Sequence, residues 1–74
     1  MKTLDKQKVG VVFEIEDVFC ANKRLLFRLL EFGFVPGQKV KIFKKSILGK
    51  VFIINIRDGF LSIRKNLLCF VSVK

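Results

Sequence analysis

The chain has 74 residues, half of them apolar, with nine Phe and neither Trp nor Tyr. That length predicts one domain, 1–74, burying roughly 60–65% of its unfolded surface. Two Cys and no His argue against a disulfide scaffold or a zinc cluster, so Cys20 and Cys69 are expected as free thiols in a reducing compartment. Fifteen Lys plus Arg against six Asp plus Glu favour an acidic partner, whether protein, nucleic acid or membrane surface.

The first residues are too charged for a signal peptide, and Val9 to Phe13 is too short for its apolar core. No run approaches the ~18 apolar residues of a membrane span, so a cytoplasmic chain is expected. Val9, Val11, Phe13 and Ile15 alternate with Gly10, Val12 and Glu14, which predicts a first strand. Glu16 to Ala21 reads as a connector.

A helix follows over about 22–32. Leu25, Leu26, Leu29, Leu30 and Phe32 fall on one side, with Lys23, Arg24, Arg28 and Glu31 on the other. Asn22 suits the cap position, and Gly33 suits the left-handed residue that ends the last turn. Pro36-Gly37 then fits the centre of a type II turn.

In the second strand Val40 and Ile42 share one face, and Lys39, Lys41, Phe43 and Lys45 the other. Ser46 to Lys50 is a loop. Val51 to Arg57 forms a third strand, Asp58-Gly59 a type I′ hairpin turn, and Phe60 to Arg64 a fourth strand. Lys65 to Leu68 makes one helical turn before a fifth strand from Cys69 to Val73, in which Phe70 has outward parity. So few residues can enclose a core only by curling. The expected fold is mainly β: a small SH3-like barrel of about five strands with one inserted α-helix, whose Leu face plugs an open end.

No catalytic site is expected. There is no His, and the six carboxylates (Asp5, Glu14, Glu16, Asp17, Glu31, Asp58) are scattered. No Gly-rich loop carries a Lys and Ser/Thr, so neither a nucleotide nor another cofactor is anticipated. Binding through exposed groups remains. Phe27 falls among Lys23, Arg24 and Glu31, opposite the Leu stripe, and with Arg28 makes a candidate protein-binding face of the usual hot-spot types. Lys41 and Phe43 mark a second candidate patch on the second strand.

The stretch Arg28-Leu-Leu-Glu-Phe-Gly-Phe-Val-Pro-Gly37, then Ile47-Leu48-Gly49, Val51 to Ile56, Leu61 to Lys65 and Val71-Ser-Val73 resembles the FeoA family of bacterial ferrous-iron transport. The resemblance runs from about Leu4 onward. It implies an SH3-like fold and an accessory or regulatory role. The partner it implies is the large membrane transporter FeoB, through its cytosolic guanine-nucleotide-binding part, which would recruit the chain to the inner face of the membrane. One departure is Lys50-Val51, where the family commonly has an acidic residue and then Pro. Iron in that system raises the question of a metal site, but ferrous iron favours His with carboxylate. Glu14, Glu16 and Asp17 near Cys20 therefore read as a solvated acidic edge, with no metal bound.

Two further expectations attach to this reading. Arg24 or Arg28 is suited by charge and position to act as a finger in the partner's nucleotide site, and outward Phe27, Phe43 and Phe70 would favour self-association. The competing class is a basic small barrel that binds nucleic acid. That function needs two ring platforms on one face, and the sequence places only Phe43, so nucleic acid is the less favoured partner.

Overall fold

The computed structural model describes every residue, Met1–Lys74. Its elements are β1 (Val12–Val18), α1 (Lys23–Phe32), β2 (Lys39–Lys45), β3 (Val51–Ile56), β4 (Gly59–Arg64) and β5 (Val71–Val73), with 3-10 segments at Leu4–Lys6 and Lys65–Phe70. The strands pair antiparallel in the order β4-β3-β2-β1-β5. The architecture is the small SH3-like barrel with one helix that the pattern of elements predicts.

Inward residues of each strand meet in one core. Ile15, Val40, Ile42, Phe52, Ile54, Ile63 and Val71 are buried there with Leu29 of the helix. Helix α1 carries both expected stops. Asn22 Oδ1 accepts from the Leu25 amide at 3.2 Å, and Gly33 has φ +109°. The Phe34 amide donates to the Leu29 carbonyl at 3.1 Å, satisfying one carbonyl of the last turn. The turn at Pro36-Gly37 is also as expected, with Gly37 at φ +90° and the Gln38 amide donating to the Val35 carbonyl at 3.0 Å.

Leu29 is buried, and Leu25 and Leu26 pack on the core. Phe32 does not join them. It stays at the edge, 36% exposed, and Phe34, just past the helix stop, is fully buried and fills the core there. Gly33 reverses the chain direction, so the core position passes to the residue beyond it.

The first strand begins later and runs further than its alternation suggests. Gly10 sits at φ +87°, which breaks extension, and Val9 and Val11 are exposed. Toward its end the register shifts between Ile15 and Asp17. That bulge carries the strand through Glu16 and Asp17 and turns Val18 inward. The buried residue supplied by the N-terminal segment is Leu4, in a 3-10 turn.

The β3–β4 turn lies one residue earlier than expected. Ile56 pairs with Gly59, so the central residues are Arg57 (φ +52°) and Asp58 (φ +61°). Both are positive, as type I′ requires. A loop at Asp58-Gly59 would slide β4 by two residues and set the buried Phe52 opposite Lys65. The observed register sets it opposite Ile63, and Ile54 opposite Leu61. Apolar pairing outweighs turn propensity here, and two non-glycine residues carry left-handed backbone as a result. Asp58→Gly is therefore expected to stabilise the fold by about 0.5–1 kcal/mol, read as a higher urea midpoint at unchanged slope.

The last segment also differs in detail. The helical turn after β4 extends to Phe70, and β5 begins at Val71. Because Phe70 ends a 3-10 segment, strand parity does not govern it. It is half-buried and packs against the core rather than facing outward.

Candidate interaction surface

A bulge between Ile42 and Lys44 reorganises the outer face of β2. Up to Ile42 the strand alternates as expected, with Lys41 outward beside Asn55 and Val12. Phe43 is then the extra residue of the bulge. It points outward and is 53% exposed. Beyond it, Lys44 pairs with Ile53 and Lys45 with Phe52, so Lys45 leaves the face shared by Lys39, Lys41 and Phe43. Its ammonium donates to the Gln7 carbonyl at 2.8 Å and sits 4.8 Å over the Phe52 ring.

Phe43 has a neighbour that sequence reasoning passed over. Phe60, 64% exposed, lies opposite Asn55 on the same outer face. The two rings meet edge to face at 5.0 Å and 66°. Alternation along Phe60-Leu-Ser-Ile-Arg64 carried this signal, since Leu61 and Ile63 must face inward. The edge-to-face packing satisfies the rings with each other and does not form two parallel platforms for bases.

The other candidate residues sit on α1. Phe27 is 59% exposed on the helix side opposite Leu29, flanked by the exposed Lys23, Arg24 and Arg28. The helix packs on β1, whereas Lys41 and Phe43 belong to the β2–β3–β4 face. Fold geometry thus distributes the six residues over two surfaces, a helical quartet and a strand pair. None of their cations is in an ion pair. The chain's one salt bridge joins Lys74 to Glu14 at 2.8 Å.

That pair also occupies the acidic edge. Its hydrogen bond and charge hold the Glu14 carboxyl below its ordinary 4.5 and the Lys74 ammonium above its ordinary 10.5. Glu14, depressed in the folded state, contributes stability that is present above pH 4.5 and lost as pH falls through its folded value. Lys74, raised, contributes stability that is full below pH 10.5 and lost as pH rises through its folded value. Both groups are exposed, so the effect is small and salt-sensitive. Lys74→Ala should change the urea midpoint detectably at neutral pH and low salt, and leave it unchanged in high salt or below the Glu14 titration.

No three side chains of His, Cys, Asp or Glu converge as a metal site would require. Cys20 and Cys69 are free and half-buried. The Cys69 thiol donates to the Asn66 carbonyl at 3.1 Å. No helix is long and apolar enough to cross a membrane.

Residues 2–74 match the model of the FeoA domain. Among solved structures, the FeoA protein of Chlorobium tepidum is 27% identical over 96% of this chain and 67% of its own, with a TM-score of 0.82. FeoA of Stenotrophomonas maltophilia, an SH3 domain protein complexed with zinc, is 25% identical over 100% of this chain and 91% of its own, with a TM-score of 0.86. Iron(II) transport protein A of Clostridium thermocellum is also 25% identical, with a TM-score of 0.89, over 97% of this chain and 44% of that longer one. No curated protein matches.

Proposed function

Because this chain belongs to the FeoA family, associated with ferrous iron transport, we propose that it is an accessory, regulatory protein of bacterial ferrous iron uptake. It acts by binding the cytosolic GTPase part of a FeoB-type transporter, without turning over a substrate itself. The observation that carries this reading is the family match along the whole barrel. The S. maltophilia relative is put forward as a ferrous iron transport activating factor, which is the same kind of role.

The chain's surface supports a binding role. Phe27 is a large apolar side chain held in water by a capped helix, between Arg24 and Arg28. An aromatic flanked by unpaired Arg is the composition that dominates interface energetics. The Phe43–Phe60 pair beside Lys41 offers a second apolar patch within a basic surround. Such faces suit an acidic protein surface with apolar pockets, and the basic excess speeds the encounter.

The test is restoration of ferrous iron uptake in cells that lack their own copy of this protein. Phe27→Glu is expected to reduce uptake several-fold while the purified variant unfolds at the wild-type urea concentration, since the side chain contributes nothing to the core. Full restoration by Phe27→Glu, and also by Phe43→Glu, would remove both surfaces from the proposal.

A further inference from the structure

Apart from the terminal Met1, the least protected apolar residues of the chain lie in neither surface. Ile47 is fully exposed and Leu48 is 78% exposed, adjacent at the tip of the β2–β3 hairpin. The tip is a built turn. Ser46 Oγ accepts from the Lys50 and Val51 amides at 3.2 and 3.1 Å. The Gly49 amide donates to the Ser46 carbonyl at 2.8 Å, with Gly49 at φ +69°. A hydrogen-bonded turn thus holds two bulky aliphatic side chains out in solvent.

Charge around the tip is one-sided. Lys44 and Lys50 flank it in the chain, and Arg64, opposite Val51, and Lys65 follow at the end of β4. All four are exposed, and none is in a salt bridge. Leu48, Lys50, Arg64 and Lys65 share an open cleft whose one carboxylate is Asp5. The other acids lie away from it: Glu14 pairs across to Lys39 at the far end of β2, and Asp58 sits in the opposite hairpin turn.

We propose that this hairpin tip is a membrane-inserting element. Ile47 and Leu48 enter the interfacial layer of an anionic bilayer, and Lys44, Lys50, Arg64 and Lys65 lie against the lipid phosphates. A convex tip is poorly shaped to fill a flat protein interface, but it suits a fluid layer that closes around it. Apolar burial and attraction to anionic lipid supply the binding together, and neither alone gives stable attachment. The long Lys and Arg stems let the charges stay at headgroup level while the tip descends. Insertion would hold the barrel at the membrane independently of any protein partner.

Sedimentation with phosphatidylcholine vesicles, with and without about a third phosphatidylglycerol, tests this on the full chain at moderate salt. The wild type should pellet only with the anionic vesicles. The surface double variant Ile47→Asn/Leu48→Asn should bind them at least tenfold more weakly, and Lys50→Glu/Arg64→Glu should lose the dependence on phosphatidylglycerol. Since the chain has no Trp, Leu48→Trp gives a single reporter whose emission should shift to the blue on binding. The proposal is overturned if the vesicles leave the protein in the supernatant, if the Asn variant binds them as wild type does, or if the Trp emission does not move. Capture of the tip by single-stranded DNA or a soluble transporter fragment in place of vesicles would also overturn it.

Discussion

Phe34→Ala is expected to lower the unfolding free energy by about 3–5 kcal/mol, which approaches the whole stability of a domain this size at roughly 0.05–0.15 kcal/mol per residue. Phe34 is fully buried and lies where the chain leaves the helix, so truncation opens a cavity that a backbone fixed by Gly33 and Pro36-Gly37 cannot collapse to fill. The companion variant Phe32→Ala should cost clearly less, about 1 kcal/mol, because Phe32 is 36% exposed and leaves no closed cavity behind. Urea unfolding followed by circular dichroism measures both. Equal losses in the two variants would mean that the Gly33 reversal does not hand the core position from one Phe to the other.

Gly33→Ala should destabilise the chain by about 2 kcal/mol, mostly from backbone strain. Its φ of +109° is a conformation that side chains disfavour. A Cβ there would also meet the Arg57 side chain, at 2.8 Å from Nε and 3.0 Å from Cδ. The guanidinium lies across the helix C-terminus, where a cation is favoured by the helix dipole. Arg57 itself adopts φ +52° in the displaced hairpin turn, so two positive-φ positions from distant parts of the chain pack on each other. Arg57 can swing away, so the steric part is small. In the Arg57→Ala background most of the Gly33→Ala loss should therefore remain. A loss that vanishes there would assign the whole effect to the clash.

Which features were legible in the sequence follows from how local their causes are. The helix is specified by residues in contact with it: Asn22, the Leu stripe, and Gly33. The type II turn likewise needs only Pro36-Gly37. What escaped depends on partners far along the chain. The β3–β4 turn is set by Phe52 meeting Ile63, which overrides the favourable Asp58-Gly59 dipeptide. The bulges at Phe43 and near Glu16 invert the parity beyond them. That is why simple alternation puts Lys45 on the outer face and stops the strand short of Val18, where the structure does neither. Leu4 gives no periodic signal, since a lone Leu among charged residues is buried only because β5 and the Lys65–Phe70 segment form beside it.

The interaction surfaces divide the same way. Exposure of Phe27 and Phe43 was readable from helix and strand periodicity. The contact between Phe43 and Phe60 was not, because it requires the β3–β4 register and the β2 bulge together. That pair supplies the second ring that a nucleic-acid reading lacked, yet its edge-to-face geometry spends each ring on the other.

The central claim, binding to the transporter's cytosolic part, is tested most directly by calorimetric titration. The full chain is titrated into the soluble nucleotide-binding part of its cognate FeoB-type transporter, with GDP and with a non-hydrolysable GTP analogue, at low and moderate salt. Saturable binding in at least one nucleotide state, weakened about tenfold or more by Phe27→Ala or Arg28→Ala, is the predicted result. The absence of heat in every nucleotide state at both salt concentrations would contradict it.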